Sequence, residues 1–176
     1  MNLSEATATL ATTPKVLHML LSEVPADSVH RNDGAGTWSA YDIVGHLLNG
    51  DAANWLPRAR MILEHGTARS FQPFDRVAML GWERRPVTDL LADFQATRRS
   101  SVEALSSMDL GPGDLPKRGL HPDLGEVTLG QLLSSWVAHD LTHVAQIGEV
   151  LARGYRDDVG PWRVYMPALD RVAAAE

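Results

Sequence analysis

The sequence of 176 residues contains no cysteine. Disulfide bridges, thiolate metal sites and a cysteine nucleophile are therefore excluded, and any bound metal must rely on His, Asp or Glu. No apolar run approaches the roughly 20 residues that span a bilayer. The first five residues, Met-Asn-Leu-Ser-Glu, lack the basic and then apolar pattern of a signal peptide. We therefore expect no membrane partner and a cytoplasmic protein.

Positive charge is also scarce. Sixteen Lys and Arg face 22 Asp and Glu, which gives a net charge of -6. Nucleic-acid binding needs a basic stripe, and none is present, so a nucleic-acid partner is not expected. The pairs Arg84-Arg85 and Arg98-Arg99 are interpreted as solvated helix ends. The chain also lacks a P-loop, a dinucleotide fingerprint and a serine elbow, so a nucleotide cofactor is not expected. The expected partner is a small-molecule substrate.

Apolar residues, in contrast, make up 44% of the chain, enough for the core of one domain spanning residues 1–176. Helical periodicity covers four segments, separated by stretches rich in Gly and Pro: residues 3–24, 38–64, 86–106 and 128–153. Pro14 predicts a kink or a restart in the first segment, and Pro57 a kink in the second. The pattern predicts an all-α four-helix bundle.

Signals at the segment ends support these limits. Ser39 with Asp42, and Thr128 with Gln131, have the spacing of a capping box at a helix start. Residues 109–127 hold so many Gly and Pro that we expect no regular element there, only a crossover at one end of the bundle. The tail should dock as a short helix through its apolar side chains, which are Trp162, Val164, Tyr165 and Met166.

The most specific chemical signal is a pair of histidines in the fourth segment. His139 and His143 are four positions apart, which places them about 40° apart around a helix axis and one turn apart along it. Both rings lie on the apolar stripe that should face inward. His46 occupies the inward stripe of the second segment and adds a third imidazole. Together the three residues form a candidate metal site.

Three neutral imidazoles suit Zn²⁺, Ni²⁺, Fe²⁺ or Co²⁺, with Mn²⁺ as a further alternative, and they leave coordination positions open, as catalytic sites do. The competing interpretation is a set of core histidines hydrogen-bonded to Asp42, Asp51 or Gln146. Asp42 and Gln146 are equally suited to support metal ligands from behind. The residue that moves protons is left unassigned; His121, in the Gly-rich crossover, is one candidate.

Aromatic residues cluster near the ends of the second and fourth segments. Trp38, Tyr41 and Trp136, with Trp55, are candidates for the wall of a substrate pocket, and ordinary core packing is the alternative. Arg98 would serve as an anion clamp if it faced this pocket, although we expect it on an exposed face.

Several of these motifs together resemble the DinB-like (DinB/YfiT) family. The resemblance rests on Thr37-Trp38-Ser39 followed by Gly45-His46-Leu47, and on residues 125–129, Gly-Glu-Val-Thr-Leu, leading into residues 139–147, His-Asp-Leu-Thr-His-Val-Ala-Gln-Ile. Their order and spacing cover nearly the whole chain. The resemblance implies an up-down-down-up bundle in which His46, His139 and His143 hold a divalent metal, usually zinc or nickel. Related proteins often form homodimers, so the resemblance also allows a homodimer here, without indicating its interface.

The resemblance says less about the reaction. Members of this family include metal-dependent thiol transferases and isomerases that use low-molecular-weight thiols such as bacillithiol, mycothiol or glutathione, and others described as metal-dependent hydrolases. We therefore expect either an enzyme, a transferase or hydrolase that activates a thiol or water, or a non-catalytic stress-response protein with a structural or ligand-sensing metal. Substrate and metal identity stay open.

Overall fold

Six α-helices and one β-hairpin make up residues 1–171, the part of the chain that the computed structural model describes. The helices are α1 (Leu3–Leu21), α2 (Ala26–His30), α3 (Ala40–Ala53), α4 (Trp55–His65), α5 (Val87–Ser107) and α6 (Leu129–Arg153). The antiparallel strands are β1 (Arg118–His121) and β2 (Gly125–Thr128). Short 3₁₀ turns cover Gly66–Ala68, Ala78–Gly81, Gly160–Tyr165 and Pro167–Asp170.

The long helices form the predicted four-helix bundle. Helix α1 packs against α5 and α6, and α3 packs against the same two helices from the other side. Helix α4 follows α3 after a single residue and extends the contact with α6. No helix in this part of the chain is long and apolar enough to cross a membrane. The all-α bundle is confirmed, while the up-down-down-up order of helix directions stays a prediction.

Both predicted capping boxes are present, and they fix where α3 and α6 begin. The Ser39 hydroxyl accepts from the Asp42 backbone N–H at 3.2 Å, and the Asp42 carboxylate accepts from the Ser39 N–H at 3.0 Å. Thr128 and Gln131 exchange the same two bonds at 3.1 and 2.8 Å. Each box satisfies backbone N–H groups that a helix start would leave unpaired. Since these two helices carry the three histidines, their start points set the height of each ring in the bundle.

The two prolines act differently from each other. Pro14 lies inside α1, which continues without a break to Leu21, so the helix does not restart at this residue. The second predicted segment does break, but at Asn54, three residues before Pro57. Pro57 has no N–H to donate to the carbonyl of Ala53, so the helix is weakened at that carbonyl rather than at the proline itself.

Arg98 is only 1% exposed, and its interpretation as a solvated helix end is wrong. Its Nε and Nη2 donate to the two carboxylate oxygens of Asp51 on α3 at 2.6 and 2.8 Å. It also forms a salt bridge with Asp140 on α6. The guanidinium thus joins three helices inside the core. Sequence periodicity could not show this because the partners come from helices far apart in the chain.

The Gly-rich crossover contains regular structure, contrary to expectation. Leu120 pairs with Glu126 and Gly119 with Val127 in the β1–β2 hairpin, and the Phe71 N–H donates to the Leu120 carbonyl at 2.9 Å. Gly125 has φ of +73°, a left-handed conformation that suits glycine at the tight turn. The glycines therefore permit the hairpin instead of preventing it.

The C-terminal segment docks through a different side chain from those predicted. Leu169 is 3% exposed, whereas Trp162, Val164 and Tyr165 are 65%, 77% and 76% exposed, and Met166 is 43% exposed. The segment adopts two 3₁₀ turns, and the Arg156 guanidinium holds it by donating to the Leu169 carbonyl at 2.7 Å. The segment therefore docks on α6 as short 3₁₀ helices, but the four predicted side chains do not carry the contact.

Candidate metal centre

The three predicted histidines come together between α3 and α6. One ring nitrogen from each of His46, His139 and His143 lies within 4.8 Å of the others. The Nε2 atom of His139 lies 2.9 Å from Nε2 of His46 and 3.1 Å from Nε2 of His143. His46 and His143 are buried and His139 is half-buried. One turn of α6 and one face of α3 therefore place three imidazole nitrogens around a common point.

A backbone carbonyl sets the tautomer of His46. Its Nδ1 lies 3.0 Å from the carbonyl oxygen of Arg76, which can only accept a hydrogen bond. The hydrogen of the neutral ring must therefore be on Nδ1, and Nε2 presents a lone pair toward His139. This is the arrangement that metal-binding histidines use, because the second ring nitrogen is anchored by an acceptor outside the site.

His143 is held in the same way, by the side chain of Gln146. Its Nδ1 lies 2.7 Å from the Gln146 Oε1 atom, so this nitrogen donates and Nε2 again carries the lone pair. Burial, with a further contribution from the neighbouring His139, lowers the pKa of His143 to about 4. The ring is therefore neutral near physiological pH, as a metal ligand must be.

The donor set fits a divalent ion. Imidazole nitrogens that share one tetrahedral ion, at about 2.0–2.1 Å each, lie roughly 3.3 Å apart. Two of the three separations, 2.9 and 3.1 Å, are close to that spacing, and all three ligand atoms lie within 4.8 Å of one another. Without an ion, His139 Nε2 could donate its single hydrogen to only one of the two lone pairs that face it. A cation satisfies all three nitrogens at once, and borderline metals such as Zn²⁺ and Ni²⁺ prefer imidazole.

Aromatic side chains hold the rings in place. The Trp38 ring centroid lies 4.8 Å from that of His46 and 6.2 Å from that of His143. Trp55 meets the His139 ring edge-on at 5.2 Å and stacks on Trp136 at 5.9 Å. The indole N–H of Trp136 in turn donates to Asp51 at 3.2 Å. Trp38 and Trp136 thus support the site from within the core.

Tyr41 and Asp42, which were also predicted as site residues, lie at the start of α3, and their side chains bond to groups other than the three histidines. The Asp42 carboxylate accepts from Ser39 and from the Arg84 guanidinium, the latter at 2.9 Å. The Tyr41 hydroxyl accepts from the Arg85 backbone N–H at 3.1 Å. These bonds tie the segment before α5 to α3, so both side chains organise the helix start.

A cavity of about 300 Å³ opens beside His46 and His139. Its aromatic wall is formed by Trp55 and Phe74, whereas Trp38, Tyr41 and Trp136 are not among the side chains that line it. Polar side chains also face this cavity: Asn54, Arg58, Arg76, His121 and Asp123. The candidate metal centre is therefore accessible to a small molecule from one side.

The hairpin brings His121 to the cavity. Its Nδ1 accepts from the backbone N–H groups of Asp123 and Leu124 at 3.1 and 3.3 Å. The hydrogen of the neutral ring is therefore on Nε2. Burial, followed by the nearby positive charge of Arg58, lowers the pKa of His121, which favours that neutral form. The crossover thus supplies a neutral hydrogen-bond donor to the same cavity as two of the metal-site histidines.

Asn54, Arg58 and Arg76 were not predicted as site residues. Asn54 and Arg58 are one turn apart at the start of α4. Their shared helix face could have been predicted only if the helix break at Asn54 had been recognised. Arg76 lies in the loop between α4 and α5, where no periodicity applies. Two bonds hold this loop against α3: that of the Arg76 carbonyl with His46, and the 2.8 Å bond from the Asn49 amide to the Asp75 carbonyl.

Comparisons with known proteins agree with this architecture. The model of the DinB superfamily matches residues 9–147, a range that includes all three histidines. The structure of YfiT from Bacillus subtilis, described as a probable metal-dependent hydrolase with an unusual four-helix bundle topology, superposes with a TM-score of 0.74. The two chains are 20% identical, and the match covers 86% of this chain and 87% of YfiT. This likeness shows the fold. No curated protein matches the sequence.

Proposed function

The chain belongs to the DinB superfamily, and on that basis we propose that it is a metal-dependent enzyme, a hydrolase or thiol transferase. In this proposal His46, His139 and His143 hold one divalent ion beside the cavity, and a small-molecule substrate enters from the cavity side. The description of YfiT as a probable metal-dependent hydrolase supports the proposal, although that description belongs to YfiT.

The observation that carries the proposal is the exposure of a three-nitrogen site to a cavity. Structural zinc sites are closed by four protein ligands, whereas catalytic sites use three and keep a position for water or substrate. Here the grouped ligand atoms among residues 1–171 come from three histidines, and two of those rings line the cavity. When bound, the ion would supply Lewis-acid chemistry that lowers the pKa of a water or thiol toward neutrality.

The surrounding residues have separate tasks. The Arg76 carbonyl and the Gln146 amide oxygen fix the hydrogens of His46 and His143 on Nδ1, so both Nε2 atoms would present their lone pairs to the ion. Trp55 and Phe74 give the cavity an apolar wall that binds the hydrocarbon part of a substrate and excludes water. The Nε2–H of His121 donates a hydrogen bond to the leaving group as negative charge develops on it.

Turnover assays with defined metal content test this proposal. Metal-free protein and protein loaded with Zn²⁺ or Ni²⁺ would be given activated esters with water as nucleophile, and electrophiles with glutathione or bacillithiol. We expect turnover that a chelator abolishes and added metal restores. H121Q should turn over more slowly with unchanged metal content, and H18A, on an exposed face of α1, should match the wild type.

Equal rates with and without metal would contradict the proposal. A metal that raises the melting temperature but supports no turnover with either nucleophile would instead favour the non-catalytic alternative, a stress-response protein with a structural or ligand-sensing ion.

A further inference from the structure

Two arginines face the cavity beside the metal centre. Arg58 comes from α4 and Arg76 from the loop after it, and both line the space that His46 and His139 also line. Among the residues that the structure describes, neither guanidinium forms a salt bridge. Within residues 1–171, the only acidic side chain on the cavity lining is Asp123, which is largely exposed. The lining therefore has a net positive charge even before an ion is bound.

The two charges affect each other. Burial lowers the pKa of Arg58, and the neighbouring charge of Arg76 lowers it further, while Asp123 acts in the opposite direction. Bringing like charges together in a partly buried space costs free energy unless an anion offsets it. The protein nevertheless holds both groups at one cavity, so the arrangement is suited to a negatively charged ligand.

The Arg58 guanidinium is held in position. Its Nη2 donates to the Gln72 carbonyl at 3.4 Å, and its Cζ lies 5.3 Å above the centre of the Phe71 ring. The backbone of Arg76 is fixed by the bond between its carbonyl and His46. Ordering these long side chains or their backbones in advance reduces the entropy lost when a ligand binds.

A second, independent observation comes from Asn54. This residue is 5% exposed and lines the cavity, and its side-chain amide oxygen is buried without a hydrogen-bond partner among residues 1–171. Buried polar atoms are nearly always paired, so the unpaired oxygen marks Asn54 as an incompletely satisfied polar residue of the cavity wall. An anionic ligand only accepts hydrogen bonds, so Asn54 would donate to it through its NH₂ after rotation of the amide group.

We propose that the cavity binds a small-molecule carboxylate, received by Arg58 and Arg76 with a further hydrogen bond from the Asn54 NH₂. In the metal-free protein, two arginines and one aspartate leave one positive charge at the cavity, which a single carboxylate neutralises and a phosphate dianion exceeds. The planar guanidinium matches a carboxylate in two parallel hydrogen bonds. That this carboxylate belongs to the substrate of the metal centre rests on the proposed function.

Binding to the metal-free protein tests the anion site without depending on catalysis. Calorimetric titration would compare phenylacetate with phenylacetamide, which has nearly the same shape but no charge, and with inorganic phosphate. The wild type should bind phenylacetate about tenfold more tightly than phenylacetamide. R58Q and R76Q should each remove most of that preference, R58K should keep part of it, and D123N should increase it.

Arg60 provides the matched control, because it lies on the same helix as Arg58 but is exposed and not on the cavity lining. R60Q should bind both compounds as the wild type does. Equal binding of phenylacetate and phenylacetamide, or equal effects of R60Q, R58Q and R76Q, would overturn the carboxylate site, and tighter binding of phosphate would overturn the choice of carboxylate. An intact carboxylate preference without metal-dependent turnover would contradict the proposed function alone.

Discussion

The Arg98 guanidinium donates a hydrogen bond to the Leu10 carbonyl oxygen, at 2.9 Å, inside the bundle core. In a regular helix that carbonyl would accept from the N–H of residue 14, but residue 14 is proline and has none. Arg98 on α5 therefore supplies the donor that α1 lacks. This explains how α1 continues past Pro14 with a buried carbonyl satisfied, and it adds a second task to the residue that also pairs with Asp51 and Asp140.

Replacing Arg98 alone should destabilise the fold strongly. R98M leaves the Asp51 and Asp140 carboxylates buried without their cation, and removing one partner of a buried ion pair costs about 3–5 kcal/mol. R98K should lose less stability than R98M, because it keeps the positive charge. It should still be less stable than the wild type, because an ammonium group cannot form paired hydrogen bonds with both carboxylates. Urea unfolding measures the free energy of unfolding. R99Q, at the exposed neighbouring position, is the control, and an R98M protein as stable as R99Q would contradict the assigned role.

The Gln146 amide should matter for metal affinity. Q146L removes the acceptor of His143 Nδ1–H, so the ring loses the contact that fixes its tautomer and orientation. Losing such a supporting contact typically weakens metal binding about 10–100-fold. Competition with a chromophoric chelator measures the change. Q95L, at an exposed site on α5, should bind metal as the wild type does; a Q146L variant with the same affinity as Q95L would argue against the contact's role.

The metal-free protein should lose stability as the pH falls. The pKa of His143 is about 4 in the folded protein against 6.5 for the unperturbed ring, because burial and His139 disfavour its charged form. The unfolded chain therefore takes up the proton first, so this contribution is complete above about pH 6.5 and is lost as the pH falls toward 4. Urea unfolding across this range should show a steeper decline for wild type than for H143Q. Parallel declines would contradict the assignment.

The hairpin should not tolerate a side chain at Gly119. A Cβ there would lie 2.6 Å from Ile62 Cγ1 and 2.9 Å from Phe71 Cζ, both closer than van der Waals contact allows. G119A should therefore lift the hairpin from α4, destabilise the protein by about 1–3 kcal/mol and shift the His121 ring signals in an NMR spectrum. At Gly113 an added Cβ meets nothing within 4 Å, so G113A is the control. Unchanged His121 signals in G119A would show that the hairpin position is not set by this contact.

Periodicity and capping were enough to predict the bundle and to bring His46, His139 and His143 together. Local signals decide these features: Ser39 with Asp42, and Thr128 with Gln131, fix the helix starts, and a spacing of four residues places two rings on one face. Gln146 is one turn beyond His143, so its contact also follows from spacing within one helix.

Contacts between distant segments could not be read from the same signals. In the sequence, Arg98 is one of two adjacent arginines that are expected on the surface. Its carboxylate partners, Asp51 and Asp140, come from α3 and α6. His121 and Arg76 reach the cavity only because a hairpin of four-residue strands and a loop fold over α4 and α3. Such short strands show too little alternation to be recognised, and Gly119 marks a close approach that becomes visible only in three dimensions.

Metal analysis of purified protein tests the central claim most directly. The wild type and H18A, a control at an exposed histidine, should each contain about one divalent ion per chain after loading and desalting. H46A and H143A should contain far less, since each removes one of three ligands from two different helices. Metal content in both variants equal to that of H18A would contradict the three-histidine centre.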